Sequence, residues 1–174
     1  MTTSTQPAVL IDHDELSARI GALAQEIRND YPGSALHFIC VLKGAFLFLG
    51  DLIRAMDGDV TIDFMALSSY GGSTTSSGEV RLIKDLDYGL EGRDVIIVED
   101  IVDTGLTLHY LQEILLSRKP KSLKTACLLS KPSRRKIDVQ VDYIGFTIED
   151  KFVVGYGLDY AEKHRNLPYI GVLE

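Results

Sequence analysis

The sequence predicts an α/β fold, a single domain built on a mainly parallel, twisted sheet flanked by helices. Three observations predict it. Strand-length apolar runs alternate with stretches of helical spacing, as in a parallel sheet with helical crossovers. One run, Val95-Ile96-Ile97-Val98, is apolar and β-branched throughout, which suits a strand buried on both faces. The chain has 174 residues, 45% hydrophobic and 25% charged, which suits one core and no second domain.

Taken in order, residues 1–8 read as a loose tail and residues 9–174 as the domain. From Asp12 the pattern turns helical, with Leu16, Ile20, Leu23, Ala24 and Ile27 on one face. Asp12 and Glu15 have capping-box spacing, and Tyr31-Pro32-Gly33 ends the helix. Residues 36–42 are a strand-length apolar run, broken by Lys43-Gly44, with a helix expected from Ala45 to about Met56. Residues 60–69 read as a strand. Residues 71–78 carry no apolar side chain and read as a loop, with a returning strand at 79–84. After the Val95 strand, Leu108, Leu111 and Leu115 mark a helix over 106–116, stopped by Pro120. Residues 123–129 and 141–146 are further strands, with shorter candidates at 153–154 and 170–173.

Composition narrows the function classes. The formal net charge of −7 argues against broad binding to nucleic acid or to an anionic membrane. No apolar run approaches the roughly 20 residues that span a bilayer. The first seven residues lack the basic and apolar segments of a signal peptide. Cys40 and Cys127 each sit in an apolar run and read as buried reduced thiols, which points to the cytoplasm.

In an α/β sheet, ligands bind beyond the carboxyl ends of the strands. There the most informative segment is Glu99-Asp100-Ile101-Val102-Asp103-Thr104-Gly105-Leu106-Thr107. It puts three carboxylates in five residues directly after an apolar strand, then a Thr-Gly-x-Thr turn and a helix. The carboxylates can accept hydrogen bonds from sugar hydroxyls or attract a hard cation. The turn presents free backbone N–H groups at a helix N-terminus, and Gly105 permits close approach, which makes a phosphate cradle. The plainer reading has Asp103 or Thr104 capping the helix, with Glu99 and Asp100 solvated. Against it, crowded like charges raise one another's pKa unless a cation compensates, and a fold gains nothing from that.

This segment resembles the phosphoribosyl pyrophosphate motif of the type I phosphoribosyltransferases, in the form used by their hypoxanthine-guanine branch. The resemblance extends in order through four more segments. Val41-Leu42-Lys43-Gly44-Ala45-Phe46 is similar to that branch's pyrophosphate loop, and Ser69-Tyr70-Gly71 to the start of its mobile loop. Leu129-Ser130-Lys131 is similar to its purine-recognising segment. Residues 150–160, followed by Arg165, are similar to its C-terminal hood, expected over 150–174.

The resemblance implies roles that the residues alone leave open. Lys43 alone reads as a strand-end lysine reaching solvent. In the family its peptide with Leu42 can be cis, and Leu42, Lys43, Gly44 and Arg165 meet pyrophosphate. Residues 71–78 alone read as a hairpin connection, and in the family as a lid. Arg134-Arg135-Lys136 reads as a solvated basic turn. Lys131 would donate to the purine O6, because an ammonium has only donors. Phe152, on spacing alone a core residue, would stack on the purine, with Val153 at the base edge and Asp159 nearby. Glu99, Asp100 and Asp159 would meet magnesium, the implied cofactor, directly or through water or pyrophosphate. Glu99, Asp100 and the turn from Asp103 to Thr107 would hold the ribose and its phosphate.

The implied reaction joins a 6-oxopurine to phosphoribosyl pyrophosphate with release of pyrophosphate, and Asp103 accepts a proton from the purine ring. A homo-oligomer, dimer or tetramer, is the implied assembly. Three rival readings compete with it: a phosphoribosyl-pyrophosphate sensor on the same fold that binds nucleic acid, a transferase for xanthine, uracil or adenine, and a nucleotide-binding module without catalysis. No added basic segment supports the first. Against the second, Lys131 and Phe152 argue for a 6-oxopurine. No P-loop or dinucleotide glycine motif supports the third.

Overall fold

The computed structural model describes residues 6–69 and 80–174. Tyr70 and the expected loop at 71–78 lie outside the described residues. Helix α1 (His13–Asp30) starts as its sequence directs. The Asp12 carboxylate accepts from the Glu15 amide at 2.8 Å, and Glu15 accepts from the Asp12 amide at 3.0 Å. The reciprocal pair satisfies two amides that the first helical turn leaves unpaired. Its buried residues are Leu16, Ile20, Leu23, Ala24 and Ile27, the face read from the spacing.

The remaining elements are β2 (Leu36–Leu42), α2 (Phe46–Arg54), β3 (Val60–Ser69), β4 (Val80–Lys84), β5 (Asp94–Val102), α3 (Leu106–Ser117), β6 (Ser122–Ser130), β7 (Tyr143–Thr147), β8 (Val153–Val154) and β9 (Ile170–Val172). Strand β1 (Ala8–Ile11) precedes α1 and has no counterpart among the expected elements. Four residues are too few for a periodic signal, and its partner β9 lies at the other end of the chain. A one-turn 3₁₀ helix, Pro132–Arg134, follows β6.

Six strands form the main sheet in the order β4-β3-β2-β5-β6-β7. All its pairings are parallel except β3 with β4. The chain leaves central β2 for β3 on one side and returns to β5 on the other, so a crevice opens between the carboxyl ends of β2 and β5. The core has two layers because neighbouring strand residues face opposite ways. Phe38, Cys40, Ile96 and Val98 pack with α1 and α2. Ile39, Val41, Val95 and Ile97 pack with Leu108, Leu111 and Leu115 of α3. Both cysteines are free and buried, and burial pushes each thiol up to about 12.

A second sheet is three-stranded and antiparallel, in the order β1-β9-β8. It is tied down by Tyr156, whose hydroxyl bonds the Asp51 carboxylate and donates to the Leu47 carbonyl at 3.4 Å, both on α2. Among the described residues, no helix is long and apolar enough to cross a membrane.

Candidate active site

Because β2, β3, β5 and β6 run parallel, their carboxyl ends deliver four candidate segments to one edge. Strand β5 runs further than its apolar stretch, carrying Glu99 and Asp100 within the strand and ending at Val102. Its extension is held by β6, with Glu99 opposite Cys127 and Val102 opposite Ser130. The carboxylates are therefore fixed by the ladder and do not float in a loop. A pocket of about 250 Å³ is lined by Leu42, Glu99, Asp100, Asp103, Thr104, Gly105 and Thr107 among others. Leu106 opens α3 beside it.

Glu99 is buried, and that burial, with Asp100 beside it, holds its carboxyl well above the usual range. Burial also raises Asp100, to about 6. The Ile101 amide, which donates to Oδ1 at 2.6 Å, and Arg165 pull it back in part. Asp159 pushes Asp100 the other way. Neither Glu99 nor Asp100 forms an ion pair within 4.0 Å among the described residues, so their burial is offset by no contacting cation.

The turn into α3 depends on Gly105. Its φ of +85° lies in the left-handed region, and an added Cβ would sit 2.8 Å from Val139 Cγ1 and 3.2 Å from the Ile137 carbonyl. Gly105 is also the N-cap and has no side chain to cap with. Of the two capping candidates, Thr104 takes the role weakly, its Oγ1 accepting from the Leu106 amide at 3.4 Å, and Asp103 does not. The other first-turn amides keep their capacity to bind an anion.

The Leu42–Lys43 peptide is cis. Leu42, Lys43 and Arg165 line a second, adjacent hollow of about 620 Å³ with Phe46 and Phe64. Lys43 Nζ lies 3.4 Å from Glu162, and Arg165 Nη2 lies 3.2 Å from Glu162 and 3.3 Å from Asp159. Two cations expected at pyrophosphate thus share one exposed carboxylate. Gly44 faces Asp100, and its carbonyl abuts Gly157 of the hood. The contacts of Asp159 group it with Arg165 at this end of the site.

Lys131 follows β6 and is buried, with only 7% of its surface exposed. Its amide donates to the Val102 carbonyl at 3.0 Å, and its Nζ points toward Asp150 at 3.8 Å. A buried ammonium with one distant partner retains donors for another acceptor. Phe152 is 53% exposed, so the core reading from its spacing is wrong. It stands edge-on to Tyr160, ring centroids 5.6 Å apart, at the mouth of a hollow also lined by His164 and Leu173. Val153 is buried in β8 opposite Val172. Ser69 closes β3 opposite Val80.

The basic turn after Lys131 is not simply solvated, as its composition suggested. Arg135 is half-buried and donates to the carbonyls of Val102 (2.8 Å) and Asp103 (2.6 Å) and to Ser130 Oγ (2.9 Å). A guanidinium's rigid fork suits several acceptors at once, and the ends of β5 and β6 leave such acceptors free. Arg134 lies 2.8 Å from Asp103 Oδ1 and 3.3 Å from Asp150 Oδ2. These two arginines, Asp150 and Glu162 are the site residues that sequence reasoning missed. The available signal was two arginines in a turn beginning at the end of a site-bearing strand.

Among the described residues, no three His, Cys, Asp or Glu side chains gather closely enough to hold a metal by themselves.

Residues 10–161 match the family model described as a phosphoribosyl transferase domain. The hypoxanthine-guanine phosphoribosyltransferase of Bacillus subtilis is 54% identical over 166 residues, covering 95% of this chain and 92% of that protein. The bifunctional protein TilS/HprT of Listeria monocytogenes is 51% identical over 166 residues, which cover 95% of this chain but 26% of that longer protein. A crystal structure of a hypoxanthine-guanine phosphoribosyltransferase from Bacillus anthracis, with a HEPES molecule in its active site, superposes with a TM-score of 0.92 at 49% identity. It covers 95% of this chain and 98% of that one.

Proposed function

The chain belongs to the phosphoribosyl transferase family, and we propose that it is a purine salvage enzyme converting hypoxanthine or guanine and phosphoribosyl pyrophosphate to IMP or GMP and pyrophosphate. The observation that carries this reading is one edge of one sheet. It brings a buried, donor-only Lys131 together with the carboxylate-and-amide turn of 99–107 and with Lys43 and Arg165.

The reaction breaks the bond from ribose C1 to the pyrophosphate oxygen and forms one from C1 to a purine nitrogen. Positive charge grows on the sugar ring as the leaving group departs, as in glycoside cleavage. Glu99 and Asp100 hold the ribose hydroxyls, and their negative charge favours that ring. The α3 amides with Thr104 and Thr107 hold the 5′-phosphate. Lys43 and Arg165 leave Glu162 for the pyrophosphate and stabilise its added charge. Asp103 accepts the proton that the purine nitrogen loses. Lys131 donates to O6, Phe152 covers the ring face, and Val153 lies at the base edge.

Magnesium fits the pair Glu99 and Asp100, neither of which has an ion-pair partner within 4.0 Å among the described residues, with Asp159 near the pyrophosphate end. With too few protein ligands for a cage, the ion would share its sphere with pyrophosphate oxygens and water. When bound, it supplies charge neutralisation of the leaving group.

The cytoplasm is the proposed location, supported by two free buried thiols. A homo-oligomer, dimer or tetramer, is supported by the exposed apolar residues Phe46 and Ile62, which line one hollow. Neither nucleic acid nor membrane is a proposed partner.

The test is a screen of free bases with phosphoribosyl pyrophosphate and magnesium, following pyrophosphate release and nucleotide formation. Turnover with hypoxanthine or guanine and little with adenine is expected. Activity confined to adenine or uracil would overturn the reading.

A further inference from the structure

We infer that Arg134 is a positioning residue for Asp103, tying the proton acceptor to the lysine that reads the purine. The inference rests on the role proposed for Asp103. Four charged side chains form one chain across the base side of the site. Asp103 Oδ1 lies 2.8 Å from Arg134 Nε, Arg134 Nη1 lies 3.3 Å from Asp150 Oδ2, and Asp150 Oδ1 lies 3.8 Å from Lys131 Nζ. Arg134 is the one member that touches two carboxylates. It ends the 3₁₀ turn that starts directly after Lys131. A single turn thus carries both the purine-reading cation and the cation beside the proton acceptor.

The geometry of the first contact is informative. Asp103 Oδ1 is buried and accepts no well-aligned hydrogen bond among the described residues, although the guanidinium is 2.8 Å away. Arg134 holds the carboxylate by charge without a linear hydrogen bond to that oxygen. The Asp103 main chain is clamped separately, since Arg135 donates to its carbonyl at 2.6 Å. With the backbone fixed by one arginine and the carboxylate drawn by the next, Asp103 has little freedom to turn away from the purine. Orientation of this kind acts on turnover and not on the phosphate contacts.

The work divides between charge and shape, which a mutant cycle separates. Kinetic constants are to be measured for wild type, Arg134→Ala, Arg134→Lys, Asp103→Asn and the double variant Arg134→Ala/Asp103→Asn. Arg134→Ala should lower kcat about fivefold, the scale of a partly exposed ion pair in a network, with KM for phosphoribosyl pyrophosphate unchanged. Arg134→Lys keeps the charge and should recover at least half of the loss. In the Asp103→Asn background, Arg134→Ala should change kcat less than twofold, because its partner is already gone. Effects that multiply, no rescue by lysine, or a raised KM for phosphoribosyl pyrophosphate would each overturn the inference while Asp103 keeps its role. If Asp103→Asn itself turns over like wild type, the proposed role of Asp103 falls, and the inference with it.

Discussion

Replacing Asp100 by asparagine should stabilise the metal-free protein at alkaline pH. Burial raises this carboxyl from 3.8 to about 6. A group raised on folding binds its proton more tightly in the folded state. Its contribution to stability is greatest below 3.8 and is lost as pH rises through about 6. The whole rise corresponds to roughly 3 kcal/mol at pH 8, and to about 1 kcal/mol near pH 4.5. Asparagine keeps the acceptor that the Ile101 amide uses at 2.6 Å, so the change removes charge and little else. Glu99 is relieved too, since Asp100 is one cause of its raised value. Urea unfolding in the presence of a chelator, at about pH 8 and about pH 4.5, reads the difference directly. Asp100→Asn should gain about 2–3 kcal/mol at the higher pH, or roughly 4–10 °C in Tm, and clearly less at the lower. The same variant should lose affinity for phosphoribosyl pyrophosphate. A variant that is no more stable at pH 8 would refute the claim that these carboxylates are uncompensated in the empty site.

Asp103→Asn should lower kcat by roughly 10²–10⁴-fold while phosphoribosyl pyrophosphate still binds, as direct titration of the ligand would check. Lys131→Gln adds an acceptor where the wild type has only donors, so kcat/KM for hypoxanthine over adenine should fall from a discrimination on the order of 10⁴. An unchanged ratio would mean that other groups read position 6. Gly157→Ala puts a Cβ into the Gly44 carbonyl at a φ of +97°; it should lower stability by about 1–3 kcal/mol and raise KM for phosphoribosyl pyrophosphate, measured by thermal unfolding and initial rates. Exhaustive chelation should abolish activity and magnesium should restore it; full rates without any divalent ion would remove the metal from the mechanism.

Much of the fold was legible because the core writes its period into the chain. The α1 face, the capping box at Asp12 and the wholly apolar centre of β5 each obey a local rule, and each has its expected counterpart. The elements that escaped are those whose cause lies elsewhere in the chain. β1 is four residues long and exists because β9 offers it an edge. Arg134 and Arg135 read as a solvated turn because their composition is that of one. What recruits them is a set of acceptors at the ends of β5 and β6, more than 25 residues away for the Val102 and Asp103 carbonyls. Phe152 looked like core because its neighbours Val153 and Val154 are core. The packed strand begins only at Val153, and Phe152 lies just outside it.

The same contrast separates what holds this protein together from what it uses. Apolar residues satisfy themselves within the fold: Val95 to Val98 are wholly buried and face helices on both sides. The site residues do not. Glu99 and Asp100 are raised by their own burial, Asp103 Oδ1 lacks an aligned donor, Lys131 is buried with its nearest carboxylate 3.8 Å away, and Phe152 stands open. Each costs the empty protein something that a ligand of the right chemistry would return: a cation and hydroxyls for the first pair, a ring N–H for Asp103, a carbonyl oxygen for Lys131, an aromatic face for Phe152. These are the requirements that the proposed substrates, a 6-oxopurine and a ribose bearing pyrophosphate, would meet. Stability and function therefore pull oppositely at Asp100, so a substitution there that makes the protein harder to unfold should also make it a poorer enzyme.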